Sequence, residues 1–256
     1  MYSATSGNCN FHSAVRQKLG PVINVTATHE TCCVVRFTEC SSTNLDLVFV
    51  VDASTKSDPS GWSQLLSFVS NAARFYQISS NGVRVALVQY ADRALTSIQF
   101  GRYNDANSFG SAVSRIGQLG GGSNLQTGLD QARSVLSGSG SRSKVAIIVT
   151  DQFRSSSAIS TAAATAVNSG ILLVGVGVSG AAGLFLDSSA FQSLLQNRVV
   201  IANGYTGLGG VVSQAVSQAC PAQATRKASS FKTFRTKKSN LFIFTCVVAI
   251  PTGFFI

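Results

Sequence analysis

Two acids stand where site chemistry is expected. LDLVFVVD (45–52) and KVAIIVTD (144–151) are apolar runs that each end in an aspartate, Asp52 and Asp151. Such a run fits a strand buried on both faces. In open parallel sheets, ligands bind beyond the carboxyl ends of the strands, near the point where strand order reverses. That rule brings together two carboxylates far apart in sequence. Other patterns carry less. GQLGGGSN (117–124) has the glycines of a phosphate loop but lacks the Gly-Lys-Ser/Thr ending, so nucleotide binding is excluded and a tight turn is expected. Cys9 with His12, and His29 with Cys32, have spacings a zinc site uses. Their flanks match no zinc module, and disulfide wiring accounts for the cysteines equally well.

The elements that must position the two acids follow from periodicity. After the polar loop ASTKSDPSG (53–61), apolar residues Trp62, Leu65, Leu66, Val69, Ala72, Ala73 and Tyr76 recur at helical spacing, predicting a helix over 62–78. VRVALVQY (83–90) and ALTSIQF (94–100) are strands joined by three residues, a link short enough only for an antiparallel hairpin. Helices are predicted over 104–116 and 125–136, flanking the glycine loop. A further helix over 158–168 precedes the buried strand ILLVGVGV (171–178). A helix near 188–196, a strand at 198–202 and a helix over 208–219 follow. Alternating apolar strands and amphipathic helices predict an α/β fold: a doubly wound, mostly parallel six-stranded sheet with one antiparallel edge strand and helices on both faces.

The chain has 256 residues and a net charge of +10, with 45% hydrophobic and 12% charged residues, enough apolar material for a core. Charge is unevenly placed. Residues 1–39 carry three basic and two acidic groups, 40–220 carry eleven and eight, and 221–256 carry six and none. The basic tail reads as solvated or as anion-binding. No aromatic-interleaved basic face points to nucleic acid. The tail's last 17 residues, NLFIFTCVVAIPTGFFI, lie at the short edge of a membrane span and contain Pro251. A tail anchor would put the preceding lysines, and the domain, on the cytoplasmic side. Asn24-Val25-Thr26 is a glycosylation sequon, and six cysteines fit an oxidising compartment. Residues 1–15 lack the pattern of a signal peptide. Secretion is therefore expected from a chain with further modules upstream, and the tail as an anchor is the less favoured reading.

At this point the residues resemble a known family. Residues 40–220, about 70% of the chain, are similar to a von Willebrand factor type A domain, also known as an integrin-type inserted domain. LDLVFVVDAST matches its first strand and metal-site loop, VRVALVQYAD and ALTSIQF the second and third strands, and GGGSNLQTGL the loop and helix bearing a metal-site hydroxyl. VAIIVTD and ILLVGVGV match the fourth and fifth strands. The resemblance implies three segments: a Cys-containing N-terminal segment (1–39), the type A domain (40–220), and a basic linker with a hydrophobic tail (221–256). It also implies a disulfide between Cys40 and Cys220, which bracket the domain, and leaves Cys9, Cys32, Cys33 and Cys246 without assigned pairing.

The family's metal-ion-dependent adhesion site follows Asp-x-Ser-x-Ser, then a distant Thr, then an Asp. Carried over, the implied ligands are Asp52, Ser54, Ser123 (at the Thr position) and Asp151. Mg2+ takes six oxygens at about 2.0–2.1 Å and keeps waters readily, so hydroxyls and carboxylates suit it. The second Ser of the pattern is Lys56 here. An ammonium has no lone pair to give. A unit charge 4 Å from a doubly charged ion costs about 2 kcal/mol at water's dielectric and roughly 8 at an effective value of 20. Two readings stay open: Lys56 neutralises Asp52 and Asp151 in place of Mg2+, or it points to solvent and a weak metal site survives. Ser54 and Ser123 are not nucleophiles, because both histidines lie outside the domain.

The resemblance implies a binding module without catalysis. Its partner is expected to be an extracellular matrix protein, with collagen the leading class. The binding face is expected at loops 53–61, 117–124 and 151–157, where Lys56 and Arg154 could hold an acidic side chain without metal. The alternatives are a structural matrix protein that assembles with its own kind and a tail-anchored intracellular scaffold.

Overall fold

The computed structural model describes residues 3–5, 8–10, 24–28, 31–36, 44–54, 59–180 and 187–220. The chain divides into two compact units, Met1–Thr38 with Thr225–Ile256, and Glu39–Ala224. In the first, β1 (Ser3–Thr5) pairs antiparallel with β2 (Asn8–Asn10), and β3 (Asn24–Thr28) with β4 (Thr31–Arg36). Asn24 of the sequon opens β3, opposite Arg36. Cys9 lies in β2, and Cys32 and Cys33 in β4. Cys40, Lys56 and Cys246 lie outside the described residues.

The second unit is built on β5 (Leu45–Asp52), β6 (Val83–Tyr90), β7 (Ala94–Ile98), β8 (Ser143–Thr150), β9 (Ile171–Ser179) and β10 (Val199–Asn203). They form one sheet in the order β10-β9-β8-β5-β6-β7. Every pairing is parallel except β6 with β7. The expected doubly wound sheet with one antiparallel edge is thus the observed one. Strand order runs outward in opposite directions from β5 and β8, so the switch point lies between those neighbours.

Alternation along β5 divides the core. Leu47, Phe49 and Val51 face α1 (Pro59–Ala73), α2 (Ala106–Val113) and α6 (Leu208–Ala219). Val48 and Val50 face α3 (Leu125–Ser137), α4 (Ser157–Asn168) and α5 (Ser188–Leu194). All of β5 is buried, as a central strand covered on both faces must be. The helix expected over 62–78 starts at Pro59 and ends at Ala73. Beyond it the chain tightens into turns, with Phe75 N bonded to Ala72 O and Tyr76 N to Ala73 O. Tyr76 and Ile78 stay buried, which is why the helical spacing outran the helix.

At the amino end of β5, Asp46 is fully buried. Arg84 Nε donates to its Oδ1 at 2.8 Å and Arg142 Nε at 2.6 Å, while Arg84 Nη2 donates to Oδ2. Arg142 also ties Asn44 Oδ1 and the carbonyls of Leu45 and Gly82 together. Burial would raise the Asp46 pKa, but the side-chain donors led by Arg84, with the charge of Arg142, hold it below the usual carboxylate value.

Candidate functional site

Asp52 and Asp151 sit at the opposite end of the sheet, at the carboxyl ends of the neighbouring β5 and β8. Both are buried, at 0% and 2% exposure. Parallel register sets Val51 beside Val149, so Asp52 comes level with Thr150. Among the described residues, Asp52 accepts from Ser54 N at 3.1 Å, Ser123 Oγ at 2.7 Å and Thr150 Oγ1 at 3.1 Å. These donors are neutral. Burial and then the charge of Asp151 push its pKa above the ordinary carboxylate value, and the hydroxyl and amide donors only partly offset them.

Ser123 reaches Asp52 because its loop is tied to the strand ends. Gly120 N donates to Ala53 O at 2.9 Å, and Asn124 N to Ala91 O at 3.1 Å. Gly120 and Gly121 have φ of 76° and 91°, the left-handed region that favours glycine. A Cβ on Gly121 or Gly122 would also strike the Asp92 carboxylate, at 2.3 and 2.6 Å. Asn124 then caps α3 by accepting from Gln126 N. The glycines thus serve a tight turn, as the sequence suggested.

Ser54 is fully buried and held from two sides. Gln152 Nε2 donates to its Oγ at 3.1 Å, and Gln118 Nε2 to its carbonyl. Tyr205, in a short 3-10 turn (Tyr205–Gly207) before α6, donates its phenol proton to Asp151 Oδ2. Its ring lies over Gly61 so closely that a Cβ there would come within 2.6 Å. Beneath the crevice, the fully buried Tyr90 packs against Gly128 of α3. Burial, with the Asp52 charge next, pushes its phenol well above its ordinary pKa. Arg154, three residues past Asp151, is exposed in the loop leading to α4.

Asp52, Ser54 and Ser123 therefore share one polar crevice, with Asp151 beside Asp52 across the switch point. Thr150, Gln152 and Tyr205 belong to it as well. None of these three is signalled by spacing, since a hydroxyl, an amide and a phenol acting as donors leave no periodic trace. Cys220, at the end of α6, is disulfide-bonded, while Cys40 lies outside the described residues.

A model of the von Willebrand factor type A domain matches residues 46–206. The chain belongs to this family. It is 38% identical to matrilin-3 of Homo sapiens over 147 residues, which is 54% of this chain and 30% of matrilin-3. It is 29% identical to the collagen alpha-1(XXI) chain of Homo sapiens over 141 residues, 54% of this chain and 15% of that one. The chain thus spans less than a third of the length of these relatives. Matrilin, vitrin and collagen relatives are extracellular-matrix proteins that carry this type A domain. Among solved structures, proximal thread matrix protein 1 from the mussel byssus, with a zinc-occupied MIDAS motif, shares the fold. Its TM-score is 0.64 at 20% identity, over 71% of this chain and 47% of that one.

The donor set in the type A crevice fits a hard divalent cation. Asp52 and Asp151 supply charge, Ser54 and Ser123 supply hydroxyl oxygens, and Asp52 meets only neutral protein donors among the described residues.

Proposed function

We propose that this type A domain is a non-catalytic adhesion module that binds an acidic side chain of an extracellular matrix protein, with collagen the leading class. The contact face is formed by loops 53–61, 117–124 and 151–157 around Asp52, Ser54, Ser123 and Asp151. The observation that carries the reading is the polar crevice at the switch point, where Ser123 Oγ lies 2.7 Å from Asp52 Oδ2. Two acids buried side by side need a cation to be stable as a charged pair. Lys56 supplies that charge when no metal is bound, and with Arg154 it attracts the partner's carboxylate. When bound, Mg2+ would be held by Asp52, Ser54, Ser123 and Asp151 and would accept the partner's carboxylate as a ligand.

The same reading makes the protein extracellular, with Asn24 glycosylated and Cys40 bonded to Cys220. The type A domain is then residues 40–220, between an N-terminal segment and a basic tail. The matrix kinship of the relatives supports this placement. Solid-phase binding of the full chain to a panel of matrix proteins, with and without EDTA, tests it. Saturable binding to at least one matrix protein that Lys56→Ala with Arg154→Ala weakens is the expected result. Absence of binding to every panel member in either buffer defeats it.

A further inference from the structure

The adhesion motif is one oxygen short at position 56, and the crevice holds a side chain able to make up the deficit. We propose that the carboxamide oxygen of Gln152 completes the coordination shell of a divalent cation held by Asp52, Ser54, Ser123 and Asp151. This inference rests on the adhesive reading of the crevice.

Gln152 follows Asp151 directly, and its backbone is pinned on both sides. Thr150 Oγ1 lies 2.6 Å from Gln152 O, and Gln152 N donates back to Thr150 Oγ1 at 3.3 Å. Phe153 is buried, its ring 5.1 Å from that of Phe191, and its carbonyl accepts from Asp187 N at 3.1 Å. The half-buried Gln152 side chain is left facing the crevice, with Nε2 3.1 Å from Ser54 Oγ.

That separation suits ligation. Neighbouring ligands of an octahedral ion with bonds of about 2.1 Å lie roughly 3 Å apart. The Gln152 amide and Ser54 Oγ meet this spacing at 3.1 Å, and Ser123 Oγ and Asp52 Oδ2 approach it at 2.7 Å. Ser54 links the two edges, since its amide donates to Asp52 Oδ1 and its hydroxyl accepts from Gln152. A carboxamide presents either nitrogen or oxygen after a half-turn about its last torsion, and the surrounding hydrogen bonds decide which. Without metal, the NH2 end faces the lone pair of Ser54. With a cation present, the half-turn brings the oxygen to that position. The oxygen missing at position 56 is thus replaced from the loop after β8.

Mn2+ binding to the full chain tests this, read by loss of the free-ion electron paramagnetic resonance signal and by water-proton relaxation for inner-sphere waters. Wild type is expected to bind Mn2+. Gln152→Ala should bind about ten-fold more weakly or worse and carry an additional inner-sphere water. Gln152→Glu should bind more tightly, a gain that misfolding cannot produce and that decides the matter if the alanine variant does not fold. Equal affinity and equal hydration in wild type and Gln152→Ala would overturn the proposal. So would no Mn2+ uptake by wild type at millimolar ion, or no tightening in Gln152→Glu. Each of these leaves the adhesive reading intact if matrix binding persists in EDTA. Loss of matrix binding with Mn2+ uptake intact defeats the adhesive reading alone.

Discussion

β5 carries a buried aspartate near each end, and the two are held in opposite ways. Asp46 is neutralised by the guanidinium groups of Arg84 and Arg142. Among the described residues, Asp52 receives only hydroxyl and amide donors, and it faces a second acid. Their pKa values move in opposite directions accordingly, down for Asp46 and up for Asp52. A carboxylate matched to internal cations holds a fold together. A carboxylate left with neutral donors costs stability and keeps its charge for something the domain binds. One strand thus separates a structural end from a functional end, within a few residues of the same sequence pattern.

The largest expected effect breaks the structural end. Asp46→Asn leaves both guanidinium groups without their counter-charge. Arg84 and Arg142 are partly exposed, at 30% and 15%, so the loss belongs at the low end for a broken buried pair: about 3 kcal/mol, read as a fall in Tm of roughly 6–12 °C. The pH dependence has a definite sign. Folding lowers the Asp46 pKa, so its stabilisation is present above about pH 4 and is lost as pH falls through the depressed folded value. Thermal unfolding from pH 7 to pH 2 should show an acid-side loss in wild type that is smaller in Asp46→Asn. An unchanged Tm at pH 7 would show that the ion pair is not what secures this end.

The reverse is expected of Asp52. Its folded pKa is raised, so any stabilisation from its neutral form is complete below about pH 4 and is lost as pH rises through the raised folded value. At pH 7, in EDTA, Asp52→Asn should leave stability unchanged or raise it by up to about 1 kcal/mol, while matrix binding that requires a divalent cation is lost. A Tm drop comparable to that of Asp46→Asn would erase the difference between the two ends.

How far this contrast was legible in the sequence depends on the kind of residue. The strands 45–52 and 83–90 and the helix 208–219 were read with their observed bounds, because apolar periodicity is a local signal. Asp52 and Asp151 were legible because each closes an apolar run at a strand's carboxyl end. Ser54 and Ser123 became visible only through the family pattern. Asp46 was hidden inside the same run that announced Asp52, since its partners Arg84 and Arg142 lie 38 and 96 residues away. Thr150, Gln152 and Tyr205 were missed for the same reason, and Tyr205 meets Asp151 across 54 residues. Periodicity reports which face is buried. It carries no information about which buried polar groups will find each other.

The smallest expected effect sharpens the contrast at Tyr205. Its phenol donates to Asp151, so the second acid of the crevice also leans on a neutral donor. Tyr205→Phe keeps the ring and removes the proton. A single hydrogen bond to a charged group is worth about 1.5–3 kcal/mol when buried, and this one is partly open, so the cost should be about 1 kcal/mol in Tm measurements. Gly61→Ala provides the complementary change. Its methyl would stand 2.6–2.8 Å from the Tyr205 ring carbons and push the ring off α1, while the phenol remains. If Asp151 needs the proton itself, Tyr205→Phe weakens matrix binding with no Tm loss beyond that 1 kcal/mol, about 2–4 °C. If the ring's seat on Gly61 is what holds Asp151 in place, Gly61→Ala weakens binding more and lowers Tm as well. Equal binding in both variants and wild type would mean that Asp151 is positioned by β8 alone, and the functional end of the sheet would then need no support from the turn before α6.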